Sequence, residues 1–184
     1  MTRDRETLAA IAARMIVESE LTDWALARRK AVAELGLSAH GSPLPSDDEI
    51  IDEIKTYHAL YSGDAWTLQL RAQREAALEA MVELARFTPV LTGAVAEGWA
   101  HAGSLIRIEL TPESAKDVEY ALLNLKVEFT PTLARDGTAL YEMLDSDWPM
   151  RLVVRESGRA PDHRYKMRLN GKLLEHLLRE TAST

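Results

Sequence analysis

The spacing of apolar residues changes near Phe87, and this change constrains the fold more than any other feature of the sequence. Before it, apolar residues recur at intervals of three and four, as at Leu8, Ile11 and Ala12. That interval is the period of an amphipathic helix. After it, short runs alternate between apolar and polar residues, as in LIRIEL at 105–110, which is typical of a half-buried strand. The sequence therefore predicts a helical first half and a second half that contains a sheet.

The order of elements indicates an α+β fold with flanking helices on a mixed sheet. Ser46 and Glu49 form a capping-box pattern, and Asp136-Gly137 is typical of a hairpin turn. The division we expect is a helical region over 1–63 and an α+β core over 64–180, packed as one compact unit. We predict helices over 5–18, 23–35, 46–61, 65–87, 111–125 and 172–179, and strands over 89–92, 105–110, 127–134, 138–144 and 150–155.

Composition restricts the classes of partner and site. The 184 residues carry a net charge of −7 and no cysteine, which excludes disulfides and thiolate metal sites. The middle of the chain is acidic, whereas residues 148–184 hold 8 basic and 4 acidic side chains. An acidic chain disfavours nucleic acid as a partner. Charges interrupt every apolar run, so we expect no secretory signal, no membrane association and a cytoplasmic location.

The segment Phe87–Leu110, FTPVLTGAVAEGWAHAGSLIRIEL, predicts a strand, a turn at Gly93-Ala94, a linker and a second strand. Over about residues 66–156 this layout resembles the core of the nucleotidyltransferase superfamily. In that family the second strand carries two aspartates that hold magnesium. Leu105 and Arg107 stand at the two corresponding positions here. The stretches RRKAVAELG, FTPVLTGAVAEG and LVVRESGR also resemble a set of uncharacterised proteobacterial proteins with a nucleotidyltransferase-like fold.

The resemblance implies a nucleotidyltransferase-like protein that lacks catalysis, a pseudoenzyme without a metal or other cofactor. Leucine offers magnesium no ligand, and arginine places a positive charge where the ion would lie. Arg107 could instead hold the phosphate of a nucleotide or another phosphorylated small molecule. It could also pair with Glu109, Glu128 or Glu142 across the sheet. The expected ligand-binding residues are Gly93, Ala94, Gly98, Trp99, His101 and Arg107.

Two other interpretations stay open. In the first, the chain is an active magnesium-dependent nucleotidyltransferase with rearranged carboxylates, in which Glu109 acts with Glu128 or Glu142. In the second, residues 1–61 form a helical adaptor or a weak DNA-binding regulator, with Arg28-Arg29-Lys30 contacting phosphates. The acidic start of the next helix, Ser46-Asp47-Asp48-Glu49, would be repelled by DNA. The same helices could contact a protein partner or a second copy in a homodimer.

Overall fold

The computed structural model describes residues 3–19, 21, 23–38, 43–155, 158 and 165–181. The chain divides into two compact units, Met1–Gln69 with Trp99–Gly103, and Leu70–Gly98 with Ser104–Thr184. The predicted α+β architecture, with helices first and a mixed sheet after them, is confirmed. Its elements are α1 Arg3–Glu18, α2 Trp24–Glu34, α3 Asp47–Tyr57, α4 Gly63–Glu83, β1 Val90–Thr92, α5 Ala94–Glu97, β2 Ile106–Leu110, α6 Ala115–Asn124, β3 Thr130–Leu133, β4 Ala139–Met143, β5 Met150–Val154 and α7 Gly171–Glu180.

The first unit is built around the apolar stripes of α1, α2 and α3. The stripes meet in one cluster of fully buried side chains that includes Leu8, Ile16, Ile50 and Ile54. The predicted capping box is confirmed: the Ser46 side chain accepts from the Glu49 amide, and the Glu49 carboxylate accepts from the Ser46 amide. These bonds satisfy amides that the first turn of α3 would otherwise leave without partners.

A π-helical turn, His58–Ser62, joins α3 directly to α4, so the chain stays helical over residues 62–64, where the sequence predicts a gap between two helices. The His58 ring stacks on Trp66 with centroids 4.6 Å apart. Gly63 follows with φ 51°, a conformation that glycine adopts without the steric cost of a side chain. α4 then runs from the first unit into the second. None of the described helices is long and apolar enough to cross a membrane.

The second unit contains a five-stranded sheet in the order β1-β2-β5-β4-β3. Only the pair β2–β5 is parallel; its neighbours are antiparallel. Because side chains alternate between the two faces of a strand, the residues of β2 fall into two sets. Ile106, Ile108 and Leu110 enter the core with no exposed surface, whereas Arg107 and Glu109 lie on the opposite, polar face.

Several element boundaries differ from the predicted ones. α6 begins at Ala115 rather than at residue 111, because Ser114 caps the helix and forms a capping box with Asp117. β3 begins at Thr130 rather than at residue 127. The linker after Gly93 contains a one-turn helix, α5, whose four residues are too few to show a period in the sequence.

Candidate anion-binding site

Three arginines surround one buried carboxylate on the polar face of the sheet. Glu109 is 3% exposed, and its Oε1 accepts from Arg107 Nη1 at 2.5 Å and from Arg155 Nη2 at 3.1 Å. Its Oε2 accepts from Arg168 Nη2 at 2.8 Å. Of the carboxylates that the sequence offered as partners for Arg107, the structure therefore shows Glu109. One carboxylate fixes the positions of three guanidinium groups.

The fold brings these arginines together from three separate segments. Arg107 lies two residues before Glu109 and therefore on the same face of β2. Arg155 follows β5, and its amide donates to the Leu110 carbonyl at 2.7 Å, which extends the parallel pairing by one residue. Arg168 precedes Leu169, which exchanges backbone hydrogen bonds of 2.8 and 3.0 Å with Leu91 of β1. The last segment is thus held beside β1 by main-chain bonds.

The environment of Glu109 acts on its pKa in two directions. Burial raises the pKa because it disfavours the charged form, while the hydrogen bonds and charges of the three arginines lower it. The net result is a pKa below the usual value of a glutamic acid. The carboxylate is therefore ionised at neutral pH.

A cavity of about 400 Å³ opens beside this cluster. Val153 and Leu140 are paired in register between β5 and β4 and form an apolar part of the lining. Arginines form most of the polar part. The described lining residues are Arg107, Ala134, Arg135, Asp136, Thr138, Leu140, Arg151, Val153, Arg155 and Tyr165.

Among the described residues, the charge of this region is positive, although the chain as a whole is acidic. The lining and its direct ion-pair partners contain five arginines, since Arg168 adds to the four in the lining. They contain three carboxylates, namely Asp136, Glu109 and Glu142, the last of which binds Arg151 at 2.6 Å. Among the described residues the balance is two positive charges. Arg168 also has a buried Nη1 atom with no hydrogen-bond partner in the described part of the chain.

Gly93 lies at the edge of the arginine cluster, as the sequence predicted. Its backbone has φ 78° and ψ −159°, which side chains rarely tolerate. A Cβ at this position would lie 3.6 Å from the Tyr165 ring and 3.7 Å from Arg107 Cβ. The Arg107 guanidinium in turn lies 4.3 Å from the centre of the Tyr165 ring and donates to Thr92 Oγ1 at 2.6 Å. The turn thus allows Tyr165 and Arg107 to pack closely.

The other expected ligand-binding residues do not gather around Arg107. Ala94 is buried behind the turn. Gly98 ends α5 with φ 74°, and its Cβ position lies 3.2 Å from Nη2 of Arg74, which donates to the carbonyls of Val95 and Ala96. The turn at Gly98 is therefore occupied by an arginine of the protein itself.

Trp99 and His101 belong to the first unit, and Arg107 belongs to the second. Trp99 packs edge-on against Trp24 with centroids 5.4 Å apart. His101 is buried, and its Nδ1 accepts from the Gly103 amide at 3.2 Å. The sequence placed both beside the glycine turn because they follow it closely along the chain.

The three candidate catalytic carboxylates are not assembled into a metal site. Glu109 forms ion pairs with arginines. Glu142 forms an ion pair with Arg151, which lies opposite it in the pairing of β4 with β5. Glu128 is exposed in the segment before β3. No group of three histidine, aspartate or glutamate side chains suited to a metal ion occurs in the described residues.

The helices proposed for DNA contact show the acidic character that the sequence indicated. Asp47, Asp48 and Glu49 occupy the first turn of α3. Arg28 is bound to Asp47 and to the Pro45 carbonyl, which it reaches at 2.8 Å. Arg29 also lies 4.0 Å from the Asp23 carboxylate, so two residues of the Arg28-Arg29-Lys30 run are paired inside the first unit.

Sequence reasoning missed most of the arginine pocket. Arg135, Arg151, Arg155 and Arg168 come from a hairpin turn, a strand and a segment without periodicity, and they reach Arg107 only through long-range contacts: the pairing of β2 with β5 and of β5 with β4, and the bridge from Leu169 to Leu91. The surplus of basic residues after position 148 was the one available signal. Comparison with known proteins gives no match to any family model, curated protein or solved structure.

Proposed function

We propose that this protein binds an anionic ligand, a nucleotide or another phosphorylated small molecule, in the arginine pocket and without a metal ion. The observation that carries the proposal is the 400 Å³ cavity lined by four arginines and organised by buried Glu109. Guanidinium groups bind phosphate through paired hydrogen bonds and need no metal. In the alignment that the resemblance implies, Arg107 also puts a fixed positive charge where a magnesium ion would bind.

The position of the pocket agrees with the resemblance stated for Phe87–Leu110. The glycine turn that would approach a phosphate in that family lies against Arg107 and Tyr165. The apolar patch of Val153 and Leu140 offers a surface for a base or another ring. These features support a nucleotide-binding protein that does not perform magnesium-dependent transfer.

The test is isothermal titration with ATP, GTP, CTP, UTP and inorganic phosphate, each with and without magnesium. Arg135 is exposed in the hairpin and carries no fold-supporting contact among those described, so Arg135→Gln removes charge from the pocket at little risk to folding. Because a charge-assisted hydrogen bond is worth about 1.5–3 kcal/mol, we expect affinity to fall by about 10-fold or more in Arg135→Gln and Arg107→Ala.

The matched control is Arg71→Gln, which removes the same charge from an exposed pair with Glu75 on α4. It should leave affinity within about twofold, since exposed charges act weakly at a distance in salt. Binding only in the presence of magnesium would instead favour the enzyme interpretation. Absence of binding by every nucleotide and by phosphate would remove the proposal and leave the first unit as the place to search for a protein partner or a second copy.

A further inference from the structure

A second cavity, of about 520 Å³, lies on the opposite face of the sheet. On β5, Arg151 and Val153 line the arginine pocket, while Met150 and Leu152 line this second cavity. We refer to it as the apolar groove. Its described lining residues are Ala76, Glu79, Ala80, Glu83, Leu84, Leu122, Leu125, Val127, Met143, Ser146, Asp147, Trp148, Met150 and Leu152.

Part of the apolar groove is open to water. Leu125 lines it and remains 39% exposed. Water in contact with exposed leucine is unfavourable, and exposed apolar patches mark surfaces that another molecule covers.

The charged groups of the groove are all of one sign. Glu79 and Glu83 stand one turn apart on α4, and Asp147 lies in the loop between β4 and β5. The described lining contains no lysine, arginine or histidine. A partner that places apolar side chains in the groove would therefore gain from basic residues beside them.

The pairing of the strands behind the groove limits how a partner can bind. β4 and β5 are interior strands of the sheet, each paired on both sides, so they offer no free edge for an added strand. Recognition must then use side chains, as it does when an amphipathic helix occupies a groove with residues at i, i+3, i+4 and i+7. We propose that the apolar groove binds an amphipathic helix of a partner protein, with a leucine-type stripe flanked by lysine or arginine.

The probe is a labelled peptide of about 14 residues, LKKLLKLLKKLLKL, compared with its counterpart in which glutamate replaces every lysine. We expect the full-length protein to bind the basic peptide at one to one in fluorescence anisotropy and not to bind the acidic one. The variant Glu79→Gln/Glu83→Gln/Asp147→Asn should weaken binding by about 10-fold, and raised salt should reduce that difference.

A matched control is needed because the whole chain is acidic. Asp52→Asn/Asp64→Asn/Glu113→Gln removes the same charge from exposed positions outside the lining and should change affinity by less than about twofold. Leu125→Ser should also weaken binding while leaving the buried lining intact. Equal loss in the two triple variants, no loss in Leu125→Ser, or binding of dodecylamine without the peptide would overturn the proposal. So would a dimer of the free protein that the Leu125→Ser variant dissociates. None of these outcomes bears on the arginine pocket.

Discussion

Glu109→Gln tests whether one carboxylate organises the arginine pocket. The substitution keeps the size of the side chain and removes its charge, which leaves Arg107, Arg155 and Arg168 around a neutral group. The arginine side chains are only 13%, 14% and 31% exposed, so water compensates their charge poorly. Removing one partner of a buried ion pair costs about 3–5 kcal/mol. A loss of that size is a large share of the roughly 5–15 kcal/mol that stabilises an ordinary protein.

The assay is equilibrium unfolding in urea, followed by circular dichroism, with Glu142→Gln as the matched control. Glu142 makes one ion pair, with Arg151, and the two side chains are 16% and 39% exposed. We expect the control to lose at most about 1 kcal/mol, because partly exposed pairs contribute little. Loss of less than about 1 kcal/mol in Glu109→Gln, or equal loss in both variants, would refute the reasoning.

The loss of stability in Glu109→Gln should also depend on pH, and it should become smaller as the pH falls. Because the folded-state pKa of Glu109 is lowered, its carboxylate contributes stability above the ordinary carboxyl pKa of about 4.3. That contribution is lost as the pH falls through the folded-state pKa. The difference between the wild-type protein and Glu109→Gln should therefore be constant near neutrality and shrink in acid.

Two further substitutions test the surroundings of the sheet. Gly93→Ala places a Cβ on a backbone with φ 78°, so we expect a loss of about 1–3 kcal/mol in urea unfolding; unchanged stability would contradict this reasoning. Tyr141→Phe removes a buried hydroxyl that donates to the Ala115 carbonyl and contacts Glu119, and should cost about 1–3 kcal/mol. Burial and Glu119 raise the pKa of Tyr141 to about 12, so spectrophotometric titration should lose a late-ionising tyrosine in the variant.

The sequence predicted those parts of the fold that depend on neighbouring residues. The capping box of Ser46, the alternation of β2 and the hairpin at Gly137, which has φ 79°, are all set by a few consecutive positions. α5 was missed because a helix of four residues carries no readable period. Gly98, which caps α5, was predicted to bind a ligand. The sequence does not show whether the space beside a glycine is free or, as here, filled by a side chain such as Arg74.

The candidate site was predictable only in part, because most of its residues meet through long-range pairing. Gly93 and Arg107 were placed together correctly, since β1 and β2 are consecutive and antiparallel. Arg155 and Arg168 could not be added without knowing that β5 lies beside β2 and that Leu169 bridges to Leu91. Trp99 belongs to the first unit and Arg107 to the second, and closeness along the chain does not show in which unit a side chain packs.

The parallel pair β2–β5 also determines when the arginine pocket can exist during folding. Its two strands are separated by residues 111–149, which contain α6 and the hairpin of β3 and β4. Closing a segment of that length is entropically costly, and non-local pairings of this kind form slowly. Arg107 can therefore meet Arg151 and Arg155 only after β5 has paired with β2. Until then Glu109 has no ion pair with Arg155, and an anion in solution would have no pocket to enter.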